Sequence, residues 1–128
     1  MQDLAIIWDW CAFAVRWLHV ITAMAWIGSS FYFIALDLGL RKASDMPDGV
    51  HGDAWQVHGG GFYHIRKYLV APDQMPKHLT WFKWESYSTW LSGAVLLMIV
   101  YWAGAEIYLI DSAKADLSVF QAVVISGA

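Results

Sequence analysis

The run from Trp17 to Leu36 is uncharged apart from the titratable His19, mostly apolar, and closed by Arg16 on one side and Asp37 on the other. It has the roughly 20 residues that a helix needs to cross the hydrocarbon of a bilayer. A second apolar stretch, Tyr87 to Tyr108, is ringed by Trp81, Trp84, Trp90, Tyr101 and Trp102. A soluble helical protein would have to hide two such segments at once, in a chain whose composition works against it. Apolar residues make up 59% and charged residues 15%, against about 25% charged in an ordinary soluble domain. Trp and Tyr suit the boundary between membrane and water, where an apolar ring keeps a polar tip wet.

These features predict an all-α fold, an integral membrane helical bundle with two complete transmembrane helices and the start of a third. The first helix is expected over about residues 6–40, with Gly39 and the Arg41–Lys42 pair marking its exit. A polar connection of about 41–78 follows, rich in Pro and Gly, in which Phe62 to Val70 is expected to form a short interfacial helix. A second helix is expected over about 79–110, opening near Pro76 and Lys77. Residues 117–128 begin a third apolar segment, so the chain reads as the front part of a longer membrane protein. Arg41, Lys42, Arg66, Lys67 and Lys77 all fall in the long connection or at its end, and the amino end has no Lys or Arg. The positive-inside bias therefore places that connection in the cytoplasm and both flanks outside. The amino end, with Asp3 and Asp9, does not read as a cleaved signal.

The net charge of −3 argues against a nucleic-acid partner. Cys11 is the only cysteine, so neither an internal disulfide nor a multi-cysteine metal site is available. His51, His58, His64 and His78 lack the tight spacing of a zinc site.

Three places carry candidate chemistry. His19 lies inside the first apolar span, where an ionisable side chain is expensive and faces protein rather than lipid. As a neutral imidazole it suits a haem iron as axial ligand. A structural hydrogen bond to a neighbouring helix and a proton-transfer role are the alternatives. On the second helix, Glu85, Ser88 and Ser92 share a face, where Arg16, His19 and Asp37 are candidate partners for Glu85 and Asp37 is the nearest of these in depth. Pairing with Lys83 at the surface is the other reading. The segment His58 to Tyr68 joins Gly59, Gly60 and Gly61 to Tyr63, His64, Arg66 and Lys67. Flexible glycines can aim backbone N–H groups at an anion, two bases add charge, and tyrosines offer flat surfaces. A turn followed by a basic helix lying on anionic lipid accounts for the same residues.

Three stretches, His19–Phe33, Val57–Tyr63 and Trp81–Gly93, resemble the N-terminal membrane domain of the PuuD-type urate hydroxylases, the urate oxidase N-terminal domain family. The resemblance runs from about Trp8 to Ala128. Its first stretch is shared more loosely with other membrane haem proteins, including HemJ-like protoporphyrinogen oxidases. The resemblance implies a multi-pass protein of the bacterial inner membrane that converts urate to 5-hydroxyisourate in purine catabolism. It implies electrons passed to a cytochrome c domain or partner, with c-type haem in a downstream domain. A b-type haem on His19 would sit in the membrane part. The Cys-x-x-Cys-His attachment site of the cytochrome is not in this sequence. Under the same reading Gly59, Gly60, Gly61, Tyr63, Arg66 and Lys67 would hold the urate anion, and Glu85 or His64 would move a proton. Lipid is the expected surroundings, and self-association into a homo-oligomer stays open. The rival functions are a cytochrome-b-like electron-transfer subunit without substrate chemistry and a purine-anion transporter.

Overall fold

The computed structural model describes residues 2–128, and of Gln2 only the backbone. Helix α1 runs Gln2–Gly39, 38 residues, or about 57 Å at 1.5 Å per residue. It is the one helix among the described residues long and apolar enough to cross a membrane. Its exit is fixed by backbone pairing: Arg41 N–H donates to Asp53 O at 2.8 Å, and Asp53 N–H donates to Arg41 O at 3.0 Å.

The chain divides into two compact units. One holds Ile27–Trp81, and the other holds the residues up to Trp26 together with Phe82–Ala128. In the Ile27–Trp81 unit the long connection is structured. Strand β1, Val50–His58, pairs antiparallel with β2, Gly61–Tyr68. This corrects two expectations: the fold is not all-α, and the expected helix over Phe62–Val70 is mostly strand. The cause is local. Gly59 and Gly60 have φ of 58° and 81°, and two successive positive φ values define the tight type I′ turn whose twist matches paired strands. Phe62, Tyr63, Ile65 and Tyr68 also favour an extended backbone. The register runs Gln56 opposite Tyr63, Trp55 opposite His64 and Asp53 opposite Arg66, with an irregularity between Val50 and Gly52.

In the other unit, α2 spans Trp84–Leu97, starting later than the expected residue 79. Thr80, Trp81 and Phe82, β-branched or aromatic, are weak helix formers just before it. A wide π-helical turn, Met98–Trp102, then interrupts the path: Ala103 N–H reaches back five residues to Met98 O at 2.9 Å. A four-residue helix α3, Ala105–Tyr108, follows. The expected single helix over 79–110 is therefore broken. A side chain at Gly104 would start 2.7 Å from the Val100 carbonyl oxygen, so the break needs glycine there. The expected third segment is present as α4, Val119–Gly127. Ser118 and Gln121 cap it reciprocally, each side chain accepting from the other's backbone N–H. Trp102 Nε1 donates to Ser126 Oγ at 3.0 Å and ties α4 to the π turn.

Very little apolar surface is covered. Leu36, Ala105 and Ala122 are the buried hydrophobic residues among those described. Apolar exposure on this scale calls for an apolar partner, lipid or further protein.

Candidate functional site

Within the helical unit, His19 of α1 is clasped by α2. Its Nδ1 lies 3.1 Å from Thr89 O and 3.1 Å from Ser92 Oγ. A carbonyl only accepts, so Nδ1 must carry the proton and donate. Ser92 Oγ–H in turn donates to Ser88 O at 2.7 Å. Thr22 Oγ1 donates to His19 O at 3.0 Å and lies 3.2 Å from Ser92 Oγ. Thr89 and Ser92 are buried. Gly93 makes the approach possible, since a Cβ there would sit 3.0 Å from His19 Cε1. With Nδ1 protonated, the neutral ring leaves Nε2 with a lone pair, and no hydrogen bond among the described residues uses it. A backbone carbonyl holding one ring nitrogen while the other stays open is the arrangement that orients metal-ligating histidines.

Glu85 is half-buried at the start of α2, and its carboxylate makes no hydrogen bond or ion pair among the described residues. Three of the partners expected from the sequence, His19, Asp37 and Lys83, have other contacts. Asp37 holds Lys67, and Lys83 Nζ lies over the Trp84 ring, 5.5 Å from its centroid.

On the hairpin, strand geometry sorts the candidate residues into two sets, because neighbours along a strand point to opposite faces. One face carries Gln56, Tyr63, Ile65 and Lys67. Gln56 Oε1 accepts from Tyr32 O–H of α1 at 2.6 Å, and Lys67 Nζ donates to Asp37 Oδ2. The other face carries Trp55, His64 and Arg66. His64 Nε2 lies 2.6 Å from Asp53 Oδ2, and its ring stacks on Trp55 with centroids 4.3 Å apart and planes 5° apart. A carboxylate only accepts, so Nε2 carries a proton and Nδ1 is left as the basic nitrogen of the neutral ring.

The expected anion cradle is thus divided. Arg66 and Lys67 point to opposite faces, and Lys67 is neutralised by Asp37. Gly59 and Gly60 are spent on the turn. Gly61 instead lies under the Tyr63 ring, whose Cε2 and hydroxyl would be 3.3 Å from a Cβ there. Tyr63 does line a cavity of about 650 Å³ with Tyr32, Gln56, Val57, His58 and Ile65. Tyr32, Gln56, Asp53 and Trp55 were missed by sequence reasoning. The signal for Gln56, Trp55 and Asp53 was strand alternation around Gly59–Gly60, which pairs them with Tyr63, His64 and Arg66; Tyr32, on α1, had no such signal. No cluster of three or more His, Cys, Asp or Glu suited to a metal ion occurs among the described residues.

A family model described as "Urate oxidase N-terminal" matches residues 5–128. Neither the curated proteins nor the solved structures contain a match to the chain.

Proposed function

The chain belongs to the urate oxidase N-terminal family, and from that premise we propose that it is the membrane part of an enzyme oxidising urate to 5-hydroxyisourate. The observation that carries the reading is the family match across 5–128, nearly the whole chain. The long apolar α1 and the scarcity of buried apolar residues support a place in a membrane. We place it in the bacterial inner membrane as a multi-pass protein, with electrons leaving to a cytochrome c.

The reaction adds water to urate and removes two electrons and two protons. The protein must therefore bind a planar anion, accept protons and pass electrons on. His64 is equipped to take a proton: Asp53 holds Nε2–H and orients the ring, and Nδ1 is free to receive. Glu85 is a second candidate for proton transfer, a carboxylate without a partner among the described residues. His19 fits a haem iron, because its Nδ1–H is held by Thr89 O and its Nε2 is left open. A haem bound there would supply one-electron redox chemistry.

Membranes from cells making the full-length protein should consume urate and release 5-hydroxyisourate, and control membranes should not. Urate entering sealed vesicles unchanged would overturn the proposal in favour of a transporter. A b-type haem spectrum without urate loss would overturn it in favour of an electron-transfer subunit.

A further inference from the structure

The geometry points to the cavity between Tyr32 and the hairpin as the seat of the heterocyclic ring, with Gln56 reading the ring's amide edge. This rests on the urate reading for the choice of ligand, but the chemistry of the cavity defines the class: a planar cyclic amide or imide. Its volume of about 650 Å³ falls within the range of small-molecule sites. Its walls are Val57 and Ile65, its flat surfaces Tyr32 and Tyr63, and its other polar groups Gln56 and His58.

The Tyr32 hydrogen bond is the informative contact. Tyr32 O–H donates to Gln56 Oε1 at 2.6 Å and holds the carboxamide in place. The Gln56 NH₂ and one lone pair of Oε1 are left uncommitted. A carboxamide with donor and acceptor side by side pairs with a ring edge that offers a carbonyl next to an N–H. Urate presents such edges on both of its rings. None of the six lining residues is acidic, so an anionic ring meets no like charge from them. Gly61 shapes the cavity indirectly: it lets the Tyr63 ring fold back to where a Cβ would be 3.3 Å away. His58 is the imidazole that lines the cavity; His64, on the opposite face of the hairpin, takes its proton through water and not from the ring itself.

The test uses the full-length protein in membranes or nanodiscs, with urate as the probe. Steady-state kinetics and calorimetric binding are measured on wild type, Gln56→Leu and Tyr32→Phe. Gln56→Leu should raise KM and Kd about tenfold, the loss expected for one or two hydrogen bonds, with kcat changed far less. Tyr32→Phe removes one oxygen and keeps the ring, so it guards against misfolding. It should weaken binding severalfold by freeing the carboxamide to turn. Wild-type turnover with KM and Kd unchanged within about twofold in the variants would overturn the site and leave the proposed function standing. Wild-type binding without turnover, lost in Gln56→Leu, would support the site and contradict the enzyme reading. Absence of urate binding by the wild type would overturn both.

Discussion

At the scale of single residues, His19 and Gly93 act as a pair. Alanine in place of a helical glycine ordinarily stabilises a helix by up to about 1 kcal/mol. Here the new methyl would meet His19 Cε1 at 3.0 Å, and the ring cannot swing away without breaking its bonds to Thr89 O and Ser92 Oγ. Gly93→Ala should therefore destabilise the protein by about 1 kcal/mol, the low end for overpacking, and lower its thermal midpoint in detergent. In a His19→Ala background the clash is gone, and the same change should raise the midpoint. A rise in the otherwise wild-type protein would show that the ring moves aside freely and contradict the clasp. His19 was visible in the sequence as a costly polar group in an apolar run. Ser92 was visible as a small hydroxyl residue on a helix face. Their contact was not, because it depends on a backbone carbonyl at Thr89 and on space at Gly93, neither of which a periodicity reports.

Among the elements, α1 was the most legible, since length and apolarity alone specify it, and the observed Gln2–Gly39 extends the expected 6–40 only at its start. The hairpin was the least legible. Three consecutive glycines suggest freedom, yet two of them are committed to positive φ and the third makes room for Tyr63. The basic pair Arg66 and Lys67 after aromatic residues suggested a helix on lipid, in which neighbours point about 100° apart. In β2 they point to opposite faces, so the two charges expected to act together are separated. Gly60→Val should cost about 1–2 kcal/mol, the penalty of a side chain in the left-handed region, and should speed amide exchange throughout β1 and β2. Gly59→Asn should leave exchange nearly unchanged, because Asn-Gly suits the same turn. Equal protection in Gly60→Val would contradict the turn assignment. The break in the second helix was likewise hidden: Ala103-Gly104-Ala105 reads as a small-residue helical stretch until the π turn brings the Val100 carbonyl to Gly104.

For the whole molecule, the sequence's excess of apolar residues and the structure's shortage of buried ones are one fact seen twice. A chain that is 59% apolar but buries only Leu36, Ala105 and Ala122 as hydrophobic core among its described residues relies on its surroundings to cover it. The family match points to a urate-related role, and the Tyr32–Gln56–Tyr63 cavity is the proposed seat of the ring. The central claim is oxidation of urate with electrons passed to a cytochrome c rather than directly to dioxygen. It is tested most directly by supplying membranes containing the full-length protein with urate and ferric cytochrome c under argon. Because the conversion releases two electrons, urate loss should be matched by reduction of about two cytochromes per urate, and neither should occur in control membranes. Urate loss that stops without dioxygen, or no urate loss under either atmosphere, would contradict the account.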